Sequence, residues 1–102
     1  LQHFKTNIQY FTKDTGMHTF TILNKKGIVL QSFTEKSSFG FNSIEYDLSV
    51  ASNKIKLFTP PIKKAENEKY YLVPGTYKVV IENSKGEKVS TELVIKEKKK
   101  DE

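Results

Sequence analysis

Apolar and polar positions alternate along much of this chain with a period of two, and no stretch repeats with the 3.6-residue period of an amphipathic helix. In "GTYKVVIEN", Tyr77, Val79 and Ile81 fall on one face, with Thr76, Lys78 and Glu82 on the other. Val80 interrupts the polar face and predicts partial cover there. In "VSTELVIKE", Val89, Thr91, Leu93 and Ile95 share a face opposite Ser90, Glu92, Val94 and Lys96. Between the two runs lies Asn83-Ser84-Lys85-Gly86. Asn opens such a turn by accepting backbone N–H groups on its side chain, and glycine accepts the positive φ of a bulged hairpin. The pattern predicts a β-hairpin with Asn83 and Gly86 as its turn residues.

The same grammar appears earlier. In "HTFTILNKKGIVLQSF", Phe20 and Ile22 are in phase, Asn24-Lys25-Lys26-Gly27 forms the turn, and Ile28, Leu30 and Ser32 alternate with Val29, Gln31 and Phe33. The structural turn residues here are Asn24 and Gly27. Further strands are predicted at residues 7–12, 42–49 and 54–59. In the second of these, Ile44, Tyr46 and Leu48 alternate with Ser43, Glu45 and Asp47. "EKSSFGF" reads as a loop or a crossing between sheets. Residues 60–75 form the longest irregular stretch, because Pro60-Pro61 cannot sit in a central strand. Within it "KKAENEK" reads as an exposed loop, and Pro74-Gly75 as the turn into the last hairpin. With about seven short strands and no helix of normal length, sheet on sheet is the packing that remains. The expected fold is an all-β, antiparallel β-sandwich of immunoglobulin-like type, a single domain over residues 1–97 with a charged tail at 98–102.

Composition narrows the chemistry. The chain has 102 residues and no cysteine, which excludes disulfides, thiolate metal sites and thiol catalysis. Its hydrophobic content is 36%, but Phe 7 and Tyr 5 concentrate that content in large rings. The net charge is +5 and every basic residue is lysine. Base reading and phosphate clamping favour the bidentate fork of arginine, and these lysines are interleaved with acids, so a nucleic-acid partner is not expected. No apolar run reaches the ~20 residues that span a bilayer. The abrupt start "LQHFKTNIQY" reads as a fragment or a processed form.

Three segments in order resemble a known family: "FTILNKKGIVLQSF", "GFNSIEYDLS" and "YYLVPGTYKVVIENSKGEKVSTELVIKE". They are similar to the immunoglobulin-like domain of flagellar hook-capping proteins, and more so to its relative at the C-terminus of secreted bacterial enzymes and sortilin-type propeller proteins. Ile22, Asn24, Gly27 and Val29 match the first family element, Gly40, Asn42, Asp47 and Leu48 the second, and Pro74, Gly75, Tyr77 and Val79 the third. One departure stands out: Tyr46 occupies a position where the family has Trp, and a buried tyrosine needs a partner for its hydroxyl. The resemblance implies a non-catalytic accessory domain of a larger exported bacterial protein (periplasmic, cell-surface or extracellular), packed against a neighbouring domain of the same polypeptide.

No set of residues assembles a catalytic site or calls for a cofactor. His3 and His18 are the only imidazoles, without the further ligands a metal needs. There is no nucleophile elbow, and Gly75 precedes a strand, so "PGTY" is a turn and not a phosphate cradle. Glu45 and Asp47 lie two apart on one strand face, ~7 Å from each other, and alternate charges on a strand face usually serve solvation. The aromatics are more open. Tyr70-Tyr71 lie beside Pro74, and Phe39 and Phe41 flank Gly40; one ring of each pair is expected in the core and the other over an edge. A platform of Phe58 with Tyr70 or Tyr71 is the candidate ligand or partner surface, and polysaccharide is the alternative partner.

Overall fold

The computed structural model describes residues 5–58, 62–65 and 67–96. His3, Pro60-Pro61 and the 98–102 tail lie outside the described residues. The chain forms β1 (Thr6–Thr12), β2 (Gly16–Leu23), β3 (Val29–Ser37), β4 (Gly40–Tyr46), β5 (Ser49–Val50), β6 (Tyr70–Tyr71), β7 (Gly75–Glu82) and β8 (Lys88–Ile95). All pairings are antiparallel. One sheet has the order β3-β2-β7-β8; β1 pairs with β4, and the two short strands β5 and β6 pair with each other. The all-β sandwich expected from the alternation is what the chain forms, with six full strands and two two-residue strands among the described residues.

Both hairpin turns use one local device. The Asn24 side-chain oxygen accepts the Lys26 and Ile28 N–H groups at 2.9 and 3.0 Å, and Gly27 N–H returns to the Asn24 carbonyl at φ +81. Asn83 does the same for Lys85 and Glu87 at 3.0 and 2.9 Å, with Gly86 at φ +85. A Cβ at either glycine would strain that conformation. Pro74 and Gly75 lead the chain directly into β7.

The core lies between the four-stranded sheet and the β1–β4 pair. Phe20, Ile22, Val79 and Ile81 point inward from one layer, and Ile8, Tyr10 and Tyr46 from the other, all buried. Leu48, Val50 and Leu72 close one end. A file of rings crosses the interior: Tyr10 meets Phe20 edge-on at 5.2 Å, Phe20 stacks on Phe33 at 5.3 Å, and Phe33 on Tyr46 at 5.5 Å. These offset and edge contacts suit the ring quadrupole. Buried polar groups are matched. The Tyr46 hydroxyl donates to the Ser49 carbonyl at 2.6 Å, the partner its burial demanded, and the Tyr10 hydroxyl bonds Ser37.

Four expectations are corrected. Residues 54–59 were expected as a strand, but a 3-10 helix runs through Ser52–Leu57. Lys54 N–H reaches the Ala51 carbonyl and Phe58 N–H the Ile55 carbonyl, so the period is three and Ile55 and Phe58 share the half-buried side. A bulge between Ile22 and Leu23 shifts the β2–β3 register. Leu30 faces inward before it, and Gln31 and Phe33 continue on the inner face after it, opposite Ile22 and Phe20. On β8 only Leu93 is buried; Val89 stands opposite buried Ile81 yet is 60% exposed, so the covering layer stops short of that half of β8. Last, Phe39 and Phe41 are both exposed, whereas one was expected in the core.

Candidate functional site

Two surface regions stand out, and the chain crossing between the sheets builds the first. β3 ends at Ser37 and β4 begins at Gly40, so two residues carry the chain from one layer to the other. Asn42 braces the crossing: its side chain accepts the Ser38 N–H at 3.0 Å and donates to the Ser38 and Gly40 carbonyls. Gly40 sits at φ +108, a conformation closed to residues with a Cβ. Phe39 and Phe41 then lie two apart and emerge on the same outer side. Phe11 of β1 is the register partner of Phe41. Its ring meets Phe41 edge-on at 5.1 Å and Phe39 at 6.1 Å. The exposures are 49% for Phe11, 67% for Phe39 and 88% for Phe41. Three solvent-facing rings, with Phe11 meeting both of the others, form an apolar patch, unlike singly scattered surface hydrophobics.

The second region is an open groove of about 690 Å³ where β3, the β4–β5 corner and β6 meet. Phe33, Tyr46 and Tyr71 give it aromatic surface, and Glu35, Glu45, Asp47, Lys5 and Lys69 supply charge. The corner is held by Asp47, whose carboxylate accepts the Ser49 N–H at 3.0 Å, and by Leu48 in the left-handed region at φ +65. Lys69 stands 3.8 Å from Asp47, and Lys5 is 3.3 Å from Glu45. Burial pulls the Asp47 carboxyl upward, but hydrogen bonding from Ser49 and the nearby Lys69 charge outweigh it, and the group ends below the ordinary aspartate range. A glycosidase acid needs the opposite shift, so Asp47 is poorly suited to that role.

The residues singled out beforehand fall as follows. Tyr71 lines the groove, with its hydroxyl taking a 2.7 Å bond from the Asn67 amide. Phe58 and Tyr70 are half-buried against the core. His18 is buried, its Nδ1 donating to the Gly16 carbonyl at 3.1 Å and its Nε2 3.0 Å from the Thr12 hydroxyl. Among the described residues no three His, Asp or Glu side chains group as metal ligands would. No helix among them is long and apolar enough to cross a membrane. Phe11 escaped sequence reasoning altogether. Its signal was available: Tyr10 and Phe11 are adjacent on a strand, so one of the two rings must face outward. Comparison with family models, curated proteins and solved structures finds no match to this chain.

Proposed function

We propose that this chain is a non-catalytic, immunoglobulin-like interaction domain that packs against a neighbouring domain of a larger, exported bacterial polypeptide. The Phe11–Phe39–Phe41 patch is its docking face. The patch is the observation that carries the reading. Covering one phenylalanine side chain recovers about 1.5–3 kcal/mol, so three adjacent rings left in water favour any apolar surface that can sit on them. The bacterial, exported and accessory parts of the reading rest on the three sequence segments that resemble the hook-capping-type domain.

The test uses the full-length natural polypeptide that carries this chain, with Phe39→Ser and Phe41→Ser combined. In the isolated 102-residue chain the double variant should unfold at the same denaturant midpoint as the parent. In the full-length polypeptide it should split one cooperative calorimetric transition into two. A full-length variant that melts like the unaltered protein would refute the docking role.

A further inference from the structure

We propose that β8 is a dimer edge: two copies of this chain join their β8 strands antiparallel, about a two-fold axis perpendicular to the sheet, with Thr91 facing Thr91 of the second copy. This is independent of the phenylalanine patch, which belongs to the other layer. β8 ends the order β3-β2-β7-β8, so among the described residues one side of its backbone meets no strand.

Which groups are open follows from the turn. Asn83 donates its N–H to the Glu87 carbonyl at 2.9 Å, which makes these two a hydrogen-bonded pair of the hairpin. Bonding alternates along an antiparallel ladder. Val89, Thr91, Leu93 and Ile95 therefore bond to β7, and Lys88, Ser90, Glu92 and Val94 turn their N–H and C=O groups outward. Such a row is a template for another strand unless a proline, a bulge or an inward-pointing charge blocks it. β8 has none of the three. Its register with β7 is unbroken from Gly75↔Ile95 to Glu82↔Lys88, and its inward set carries no charge. The opposite edge differs: a bulge shifts the pairing of β3 with β2, and the Leu30 carbonyl already accepts the Ala51 N–H at 3.0 Å.

The order of side chains selects a second copy as the occupant. A perpendicular two-fold keeps both inner faces on one side and sets outward-bonding residues opposite one another. Centring the axis on Glu92 would put Glu92 opposite Glu92, a destabilising like-charge contact. Centring it on Ser90 would run the end of each strand past the other copy's turn. Centring it on Thr91 pairs residues 88–94 of both copies and puts no like charges opposite each other. Val89, 60% exposed on the inner face, then lies against Leu93 of the second copy in a closely spaced, non-hydrogen-bonded pair. On the outer face the Ser90 hydroxyl meets the Glu92 carboxylate of the second copy. Lys88 lays its stem over exposed Val94 of the second copy, and its ammonium falls diagonal to that copy's Glu92. Symmetry makes each contact twice. The strand is complementary to itself.

The experiment is sedimentation equilibrium of the 102-residue chain from about 10 µM to about 1 mM, with amide exchange followed over the same range. The expected result is a monomer–dimer equilibrium, with protection rising most at Lys88, Ser90, Glu92 and Val94. Ser90→Pro removes only an outward N–H, which an edge strand tolerates, and should give a folded monomer throughout. Ser90→Lys sets a lysine opposite Glu92 of the second copy at two symmetric places and should tighten the dimer by about threefold or more. In a Ser90-centred register the same change would oppose two lysines. If Ser90→Pro does not fold, Ser90→Lys and the exchange map decide. A chain that stays monomeric, a dimer that survives in folded Ser90→Pro, a dimer lost in the Phe39→Ser, Phe41→Ser double variant, or weakening by Ser90→Lys would each overturn the proposal.

Discussion

The two faces of the β1–β4 pair are both aromatic, and they are the reverse of what water alone would arrange. The inner face carries tyrosines: Tyr10 and Tyr46 are 7% and 3% exposed. Each spends its hydroxyl on an internal partner, Ser37 and the Ser49 carbonyl. The outer face carries Phe11 and Phe41, joined by Phe39 from the crossing before β4, rings with no polar handle that project into solvent. Tyrosine suits a boundary because one end can stay wet, and phenylalanine suits a core. A pair of strands adapted only to its own stability would exchange them. The difference teaches that the inner face satisfies its hydroxyls internally, while the outer face leaves its rings in water, which is the basis of the docking role proposed above.

Substitutions on the two faces should therefore separate widely. Tyr46→Ala removes a ring stacked on Phe33 and opens a cavity, and should cost about 3–5 kcal/mol in urea unfolding of the isolated chain. A change on the outer face of the same strand, Phe41→Ala, should stay within about 0.5 kcal/mol of the parent. Similar losses at the two sites would break the comparison. A finer change is Tyr46→Phe, which keeps the ring but strands the Ser49 carbonyl, at about 1 kcal/mol. Its outer counterpart, Phe41→Tyr, should leave unfolding unchanged and reduce binding of a hydrophobic dye. The smallest effect belongs to a polar link that lies off both faces. Asp14 accepts the Ser84 hydroxyl and N–H at 2.6 and 3.0 Å, tying the β7–β8 turn to the β1–β2 turn. The Ser84 hydroxyl bond is the main cause that lowers the Asp14 carboxyl below the usual range, against a smaller opposing effect of burial. A depressed folded value means this link stabilises fully above the unfolded value of about 3.9 and is lost as pH falls through the folded one. Unfolding midpoints of Asp14→Asn measured across the acid range should fall less steeply than those of the parent, whereas ring variants on either face should keep the parental slope.

How legible was this in the sequence? Turn chemistry was, because it is local: Asn24 and Asn83 cap their turns through their own side chains, and the glycines three residues on take the positive φ. The inward set of β2 and β7 was legible for the same reason, since a period of two needs no partner to be read. That a buried Tyr46 needs a hydroxyl partner was legible too, but not that the Ser49 carbonyl would be that partner. What failed depended on the other layer. The β2–β3 bulge reverses the phase after Leu30, and a bulge comes from pairing, which a single strand does not encode. Lys54 to Leu57 alternates like a strand, but without a neighbour to pair with it closes into 3-10 turns. Val89 continues a buried pattern to a place where the facing layer has ended. The groove was half seen: Tyr71 was singled out, but the company of Gln31, Glu35 and Asn67 comes from strands and loops far apart in the chain.

The central claim is that the outer phenylalanines are a covered surface in the natural polypeptide. Hydroxyl-radical footprinting reads this directly, by comparing oxidation of individual rings in the isolated 102-residue chain and in the full-length protein. The account predicts ready oxidation of Phe39 and Phe41 in the isolated chain and several-fold protection of both in the full-length protein, with Tyr46 protected in each. Equal oxidation of Phe39 and Phe41 in the two forms would contradict it.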